Sequence, residues 1–262
     1  MRTFKTSLLF LCLLLAATLQ ARAETVLVAV SSNFLSTAER LAAGFRASGS
    51  DVSVRFAPGS TGKLYAQIKT GAPFDIFLSA DRERPLLLER EGLAVQRKAY
   101  ALGKLVFARR AGFGGPPLPE TVTDVGTVIA RPSGAISLAN PQVAPYGRAA
   151  RQVLKGSRRA GELLAAAIPG NSVGQAFTNI VTGNASVGLV ALSQVLDYQL
   201  SQSQTELEFA LVDPALHDLI VQDAVMLAKG NQSATALAFF AYIQSDEGRS
   251  IIQASGYDLP PR

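Results

Sequence analysis

The chain has 262 residues, with 25 Lys+Arg against 20 Asp+Glu, one His, one Cys and no Trp. Its 48% hydrophobic and 17% charged content excludes a disordered chain, since that much apolar surface supports a core. The formal charge of +5 invites a nucleic-acid or membrane-surface reading, which the first 23 residues undo.

Those residues read MRTFKTSLLFLCLLLAATLQARA. Arg2 and Lys5 form a basic start, residues 8–17 an apolar run, and Ala21-Arg22-Ala23 a small-x-small cleavage site. The pattern predicts a secretory signal peptide, residues 1–23, cleaved after Ala23. Its apolar run is too short to cross about 30 Å of hydrocarbon. Cys12 lies deep inside that run, away from the cleavage point. Without the segment, which carries three basic residues and no acidic one, 239 residues remain with a formal charge of +2 and no cysteine. Disulfides, thiolate nucleophiles and Cys-based metal sites are then excluded. The charge no longer points to nucleic acid. No other stretch reaches the length of a membrane span, so the exported chain is expected to be soluble.

Residues 25–30 are apolar and β-branched, as in a buried parallel strand. Ser31-Ser32-Asn33 follow, and then Leu35, Ala38, Leu41, Ala42 and Phe45 recur at helical spacing. Val52, Val54 and Phe56 alternate as a strand, and residues 58–62 read as a turn into a helix stopped near Gly71. Residues 74–78 form another apolar run, followed by a helix closed by Gly92. Residues 100–108 read as one extended stretch, and residues 111–119 as a Gly- and Pro-rich loop. Further strands are expected over 135–138, 187–191, 207–212 and 224–228. Helices are expected over 147–155, 161–167, 173–182, 234–243 and 246–254. The alternation predicts an α/β protein.

His217 is the sole imidazole, so zinc clusters are excluded. A serine hydrolase would have to pair His217 with Ser31, Ser32 or Ser60, and no Gly-x-Ser-x-Gly elbow accompanies it. Residues 59–63, Gly-Ser-Thr-Gly-Lys, resemble part of a phosphate loop. Ala57 and Leu64 occupy the positions that need Gly and a hydroxyl, so the nucleotide reading fails. Two readings of this junction remain: a helix cap using Ser60, and an anion site at a helix start. Ser31-Ser32-Asn33 form a second hydroxyl-rich strand-to-helix junction. Both lie at the carboxyl edge of a sheet, where ligands collect. Together they point to an oxyanion held by neutral donors. Asp75 and Asp81 are expected to cap or brace, since a carboxylate facing a dianion repels it. The tripeptides at Asn184 and Asn231 match the glycosylation pattern by chance.

Five stretches carry a resemblance: residues 28–34 (VAVSSNF), 59–68 (GSTGKLYAQI), 71–81 (GAPFDIFLSAD), 139–147 (ANPQVAPYG) and 187–193 (VGLVALS). In order and spacing the chain resembles the periplasmic molybdate-binding proteins of ABC importers across its whole mature length. The resemblance implies a two-lobed fold with mixed, mainly parallel sheets and a ligand cleft. Lobe 1 is expected over 24–103 and 220–262, and lobe 2 over 104–219. It implies a tetrahedral ligand, molybdate or tungstate, delivered to an inner-membrane ABC permease, with no cofactor and no catalysis. Ser32, Asn33 and Ser60 are the implied donors of the first lobe. Tyr146 and Val173 are those of the second, through backbone N–H and, for Tyr146, optionally the phenol. All would touch the anion's oxygens and none its metal. Some members place a ligand-contacting Tyr near position 191; here Ala191 stands there, and Tyr146 is the candidate replacement. A periplasmic monomer is expected. The alternatives are a binder of another oxyanion such as sulfate, and the serine hydrolase.

Overall fold

Short apolar runs alternating with amphipathic segments build two sheets from one chain. The computed structural model describes residues 25–49, 52–129, 134–201 and 206–261. The predicted leader, with Cys12 and the cleavage site, lies outside the described residues. In chain order the first elements are β1 (Thr25–Ser31), α1 (Leu35–Ala47), β2 (Ser53–Gly59), α2 (Thr61–Lys69), β3 (Ile76–Leu78), α3 (Glu83–Arg90) and β4 (Ala94–Gly103). There follow β5 (Leu105–Arg110), β6 (Thr121–Val122), β7 (Ile136–Ala139), α4 (Pro145–Gly156), α5 (Ala160–Ala165), β8 (Ala167–Gly170), α6 (Val173–Val181), β9 (Val187–Ala191), α7 (Leu192–Leu200) and β10 (Leu207–Val212). β11 (Ile220–Leu227), α8 (Ala234–Ile243) and α9 (Asp246–Ala254) end the chain.

The first sheet has the order β2-β1-β3-β11-β4, the second β6-β10-β5-β9-β7-β8. β1 pairs parallel with β2 and β3, whereas β11 runs antiparallel to β3 and β4. The second sheet mixes the two kinds as well: β7 is parallel to β8 and β9, and β5 is antiparallel to β9 and β10. The chain therefore leaves the first sheet between Gly103 and Leu105 and returns to it between Val212 and Ile220. Among the described residues, no helix is long and apolar enough to cross a membrane.

Each sheet carries its own core. Val26, Val28, Val30, Phe34, Leu41, Phe239 and Ile252 pack on one face of the first sheet, and Leu64, Phe77, Leu88 and Val225 on the other. Phe34 lies edge-on to Tyr100 at 4.7 Å and to Tyr257 at 5.2 Å. Phe107, Leu138, Val153, Leu154, Ile180, Leu189 and Val190 fill the second unit. Burying each such side chain contributes about 1.5–3 kcal/mol, which holds the strand ends at the junction in place.

The structure differs from the sequence reading at two points near that junction. Residues 58 and 59 are strand, not turn: β2 runs to Gly59, with Pro58 paired to Val30. β2 is the edge strand, where a proline's missing N–H leaves no ladder bond unmade. The stretch 100–108 is not one strand but the end of β4 and the start of β5, in different sheets.

Candidate functional site

The turn after β1 and the starts of α2, α4 and α6 meet where the two sheets approach each other. In the turn, Ser32 N–H donates to Gly59 O at 2.9 Å and Phe34 N–H to Ser31 O at 2.8 Å. Thr61 at the start of α2 donates its Oγ1 proton to Ser31 Oγ (3.2 Å) and accepts from Ala80 N–H (3.1 Å). Two backbone amides of the helix starts then reach across between the units. Gly62 N–H donates to Val143 O at 2.8 Å, and Gly174 N–H donates to Ser32 Oγ at 3.1 Å. A Cβ on Gly62 would stand 3.0 Å from Val143 Cα, so the absence of a side chain allows this approach.

Within this ring some polar groups have no protein partner. Ser60 is the N-cap of α2 yet makes no side-chain cap bond. It is 3% exposed, and its buried Oγ has no partner. The simple capping reading of Ser60 is therefore wrong. A buried hydroxyl left unbonded costs about 1–3 kcal/mol, and a ligand contact would offset that. Asn33 is 4% exposed and its Oδ1 is likewise without a partner. Tyr146 and Val173 lie in the first turns of α4 and α6, where an N–H has no carbonyl four residues back within the helix. In α6 the next two amides are taken, Gly174 N–H by Ser32 and Gln175 N–H by Ser172 Oγ. These helix starts carry partial positive charge.

A buried polar network stands behind the ring. Asn33 Nδ2 donates to Gln222 Oε1 (3.0 Å) and lies 3.1 Å from the Tyr257 hydroxyl. Tyr257 and Ser193 hydroxyls both approach Asn33 O, at 2.8 and 3.0 Å. Gln222 Nε2 donates to the Tyr146 phenol at 3.4 Å, and Tyr100 donates to Ser79 O at 3.1 Å. The Tyr146 phenol is thus bonded to Gln222, while its N–H lies in the first turn of α4. Gly103 makes room for that phenol, since a Cβ there would fall 2.2 Å from the oxygen. Burial, the largest cause, pushes the phenols of Tyr100, Tyr146 and Tyr257 above the ordinary tyrosine range, so all three are neutral at pH 7.

Charged residues hold the rim. Asp81 Oδ1 accepts from Arg84 N–H (3.2 Å) at the start of α3, and its Oδ2 pairs with Arg84 and with Arg148 of α4 (3.2 Å). Asp75 Oδ2 accepts from Leu27 N–H (2.8 Å). Asp81 thus caps α3 and bridges the units, as expected, whereas Asp75 does neither and instead ties β1 within its own unit. Lys63 is exposed on α2. The His217 ring nitrogen bonds the Asp218 carbonyl at 2.7 Å, while Ser31 and Ser32 hydroxyls are engaged by Thr61 and Gly174. Ala191 is buried at the end of β9 and offers no polar side chain. Sequence reasoning passed over Thr61, Val143, Gly174, Ser193, Gln222 and Tyr257. Only the hydroxyl next to Ser60 offered a local signal.

Residues 26–258 match the family described as bacterial extracellular solute-binding protein. The chain belongs to that family. This solute-binding protein is 35% identical to the molybdate-binding protein ModA of Rhodobacter capsulatus, over 98% of this chain and 97% of that one. It is 38% identical to ModA of Azotobacter vinelandii, over 91% and 92% of the two chains. Among solved structures it is similar to the periplasmic molybdate-binding protein of Azotobacter vinelandii, with TM-score 0.78, 33% identity, and cover of 90% of this chain and all of that one. The sulfate-binding protein SubI of Mycobacterium tuberculosis has TM-score 0.71 at 15% identity, covering 90% of this chain and 86% of that one, a likeness of fold alone. As an extracellular solute-binding protein, the chain works outside the cytoplasm.

Proposed function

We propose that this protein captures molybdate, and also tungstate, between its two units and delivers it to an inner-membrane ABC permease. The structural observation that carries the reading is the buried, unpartnered Ser60 Oγ beside the open helix starts; the names of the relatives supply the solute. The ligand would sit between lobe 1, residues 24–103 and 220–262, and lobe 2, residues 104–219. Ser60 and Asn33 would offer side-chain donors from the first lobe. Ser32 would add a third: its oxygen accepts from Gly174 N–H, which leaves its own proton free. Tyr146 and Val173 would donate backbone N–H from the second lobe. Every contact is to an anion oxygen. The anion is cargo, and no cofactor takes part.

Selection follows from the donor set. Lys or Arg in the ring would hold any anion, whereas directed neutral donors discriminate by size and protonation. Sulfate is smaller than molybdate and would lose contacts across a gap. Phosphate at pH 7 carries a proton that a donor-only site leaves unpaired, at a cost of about 1–3 kcal/mol. Contacts from both lobes exist together only when the lobes are closed, so binding drives closure. The protein acts as a periplasmic monomer after its leader is removed following Ala23.

Thermal unfolding tests the capture. Molybdate at about 100 times its Kd stabilises the folded state by about 2.7 kcal/mol, a rise in Tm of several degrees. His217→Ala is expected to show the same rise. Loss of it in that variant would revive the hydrolase geometry, and a rise with sulfate but none with molybdate would refute the reading.

A further inference from the structure

Asn33 and Gln222 are primary amides in direct contact, and each can present either an acceptor or a donor edge. With Asn33 Nδ2 turned to Gln222 Oε1 and Tyr257, its Oδ1 is a buried acceptor without a partner. An acceptor at that edge is the wrong group for a deprotonated oxyanion. The partners around the pair permit a second arrangement with both amides rotated by half a turn. Gln222 would then donate from its nitrogen to Asn33 Oδ1 and to the Tyr100 hydroxyl, the position now 3.0 and 3.2 Å from those groups. Tyr100 keeps its own proton on Ser79 O. The Tyr146 phenol, 3.4 Å away, would turn its proton onto Gln222 Oε1. Tyr257 would donate to Asn33 Oδ1, and Ser193 would continue to donate to Asn33 O. Each group in the network has a partner in this arrangement. The Asn33 edge without a protein partner becomes an N–H donor.

We infer that Gln222 is a positioning residue that sets which edge of the Asn33 amide faces the anion, and that it ties this choice to Tyr146 on the opposite unit. Gln222 itself touches no ligand. It is 0% exposed on β11, the strand that brings the chain back to the first sheet, and it bonds Asn33 on one side and Tyr146 on the other. A methionine of similar length would fill the space without directing either amide edge. The inference rests on the capture reading above, with Asn33 as a donor to the anion.

A double-mutant cycle on the full exported chain, read by molybdate titration, tests it. Gln222→Met is expected to weaken molybdate binding about tenfold in the unaltered background and less than about twofold when Asn33→Ala is already present, because the residue acts through Asn33. Equal losses in the two backgrounds would make Gln222 a general packing residue and overturn the inference, as would unchanged affinity in Gln222→Met. Should Gln222→Met not fold, Gln222→Glu runs through the same cycle. An ionised carboxylate only accepts, so it pulls Asn33 Nδ2 back from the anion, and affinity recovers as the pH falls and the carboxyl regains a donor proton. That recovery is expected with Asn33 present and absent in Asn33→Ala; recovery of equal size in both would overturn the inference. No molybdate binding by the unaltered protein would refute the capture reading itself, a result distinct from equal losses in the cycle.

Discussion

Ser60 occupies the position from which a serine usually caps a helix, yet it makes no such bond. Ser60→Ala therefore separates function from stability. Binding should weaken by about 1.5–3 kcal/mol, the value of a charge-assisted hydrogen bond. The Tm without ligand should not fall, because no bond to protein is lost. A fall in Tm with affinity unchanged would return Ser60 to a structural role. The tyrosines make a second prediction at this scale. Their folded-state pKa values lie above the unfolded value of 10.0, so each phenol stays neutral through the range where a free tyrosine ionises. Affinity should be flat from about pH 6 to about pH 9, since no group of the ring titrates there. The stability these phenols contribute is present below pH 10 and is lost as the pH rises through their raised values. A titration of affinity against pH with a midpoint near 7 would contradict this. Ser32, Asn33 and Ser60 were legible because a hydroxyl or amide between a strand and a helix is a local pattern. Gln222, Tyr257 and Ser193 were not, because their bonds to Asn33 span 189, 224 and 160 positions.

At the scale of elements, the rim shows how helices hold the two units together. Arg148 on α4 reaches Asp81 at 3.2 Å and Glu83 at 3.1 Å, and Arg84 donates to Gln142 O at 3.2 Å. On α1, Ser36 and Arg40 both bond Asp197 of α7 at 2.8 Å. Arg148 is 40% exposed, so each of its pairs is worth about 0–1 kcal/mol. Arg148→Ala should lower molybdate affinity about two- to fivefold, mainly through faster release. The difference should vanish near 1 M salt, where the screening length falls to about 3 Å. A loss that persists at high salt would assign Arg148 a packing role instead. Most helices were legible from their spacing, but α7 (Leu192–Leu200) was not among those expected. The course of β2 through Pro58 was not, because proline signals a turn unless the strand is known to be at an edge. The break at Lys104 was passed over for a similar reason: Gly103-Lys104 interrupts the apolar stretch only briefly, and nothing local marks which sheet each half joins.

For the whole molecule, three of the five net positive charges counted at the start lie in residues 1–23, the predicted leader. The ring at the junction contains hydroxyls, amides and helix starts, and the arginines and Lys63 stand outside it. The two-sheet plan came from the strand–helix alternation together with the resemblance. Which strand returned to the first sheet depended on β11 pairing with β3 and β4, contacts that no local pattern encodes. Fold alone does not choose the solute, so the central claim rests on the donor set. Calorimetric titration of the unaltered protein with molybdate, tungstate, sulfate and phosphate tests it most directly. The account predicts saturable heats of one-to-one binding for molybdate and tungstate, with sulfate and phosphate binding at least about a hundredfold more weakly. Tight sulfate binding with no heat from molybdate would contradict it.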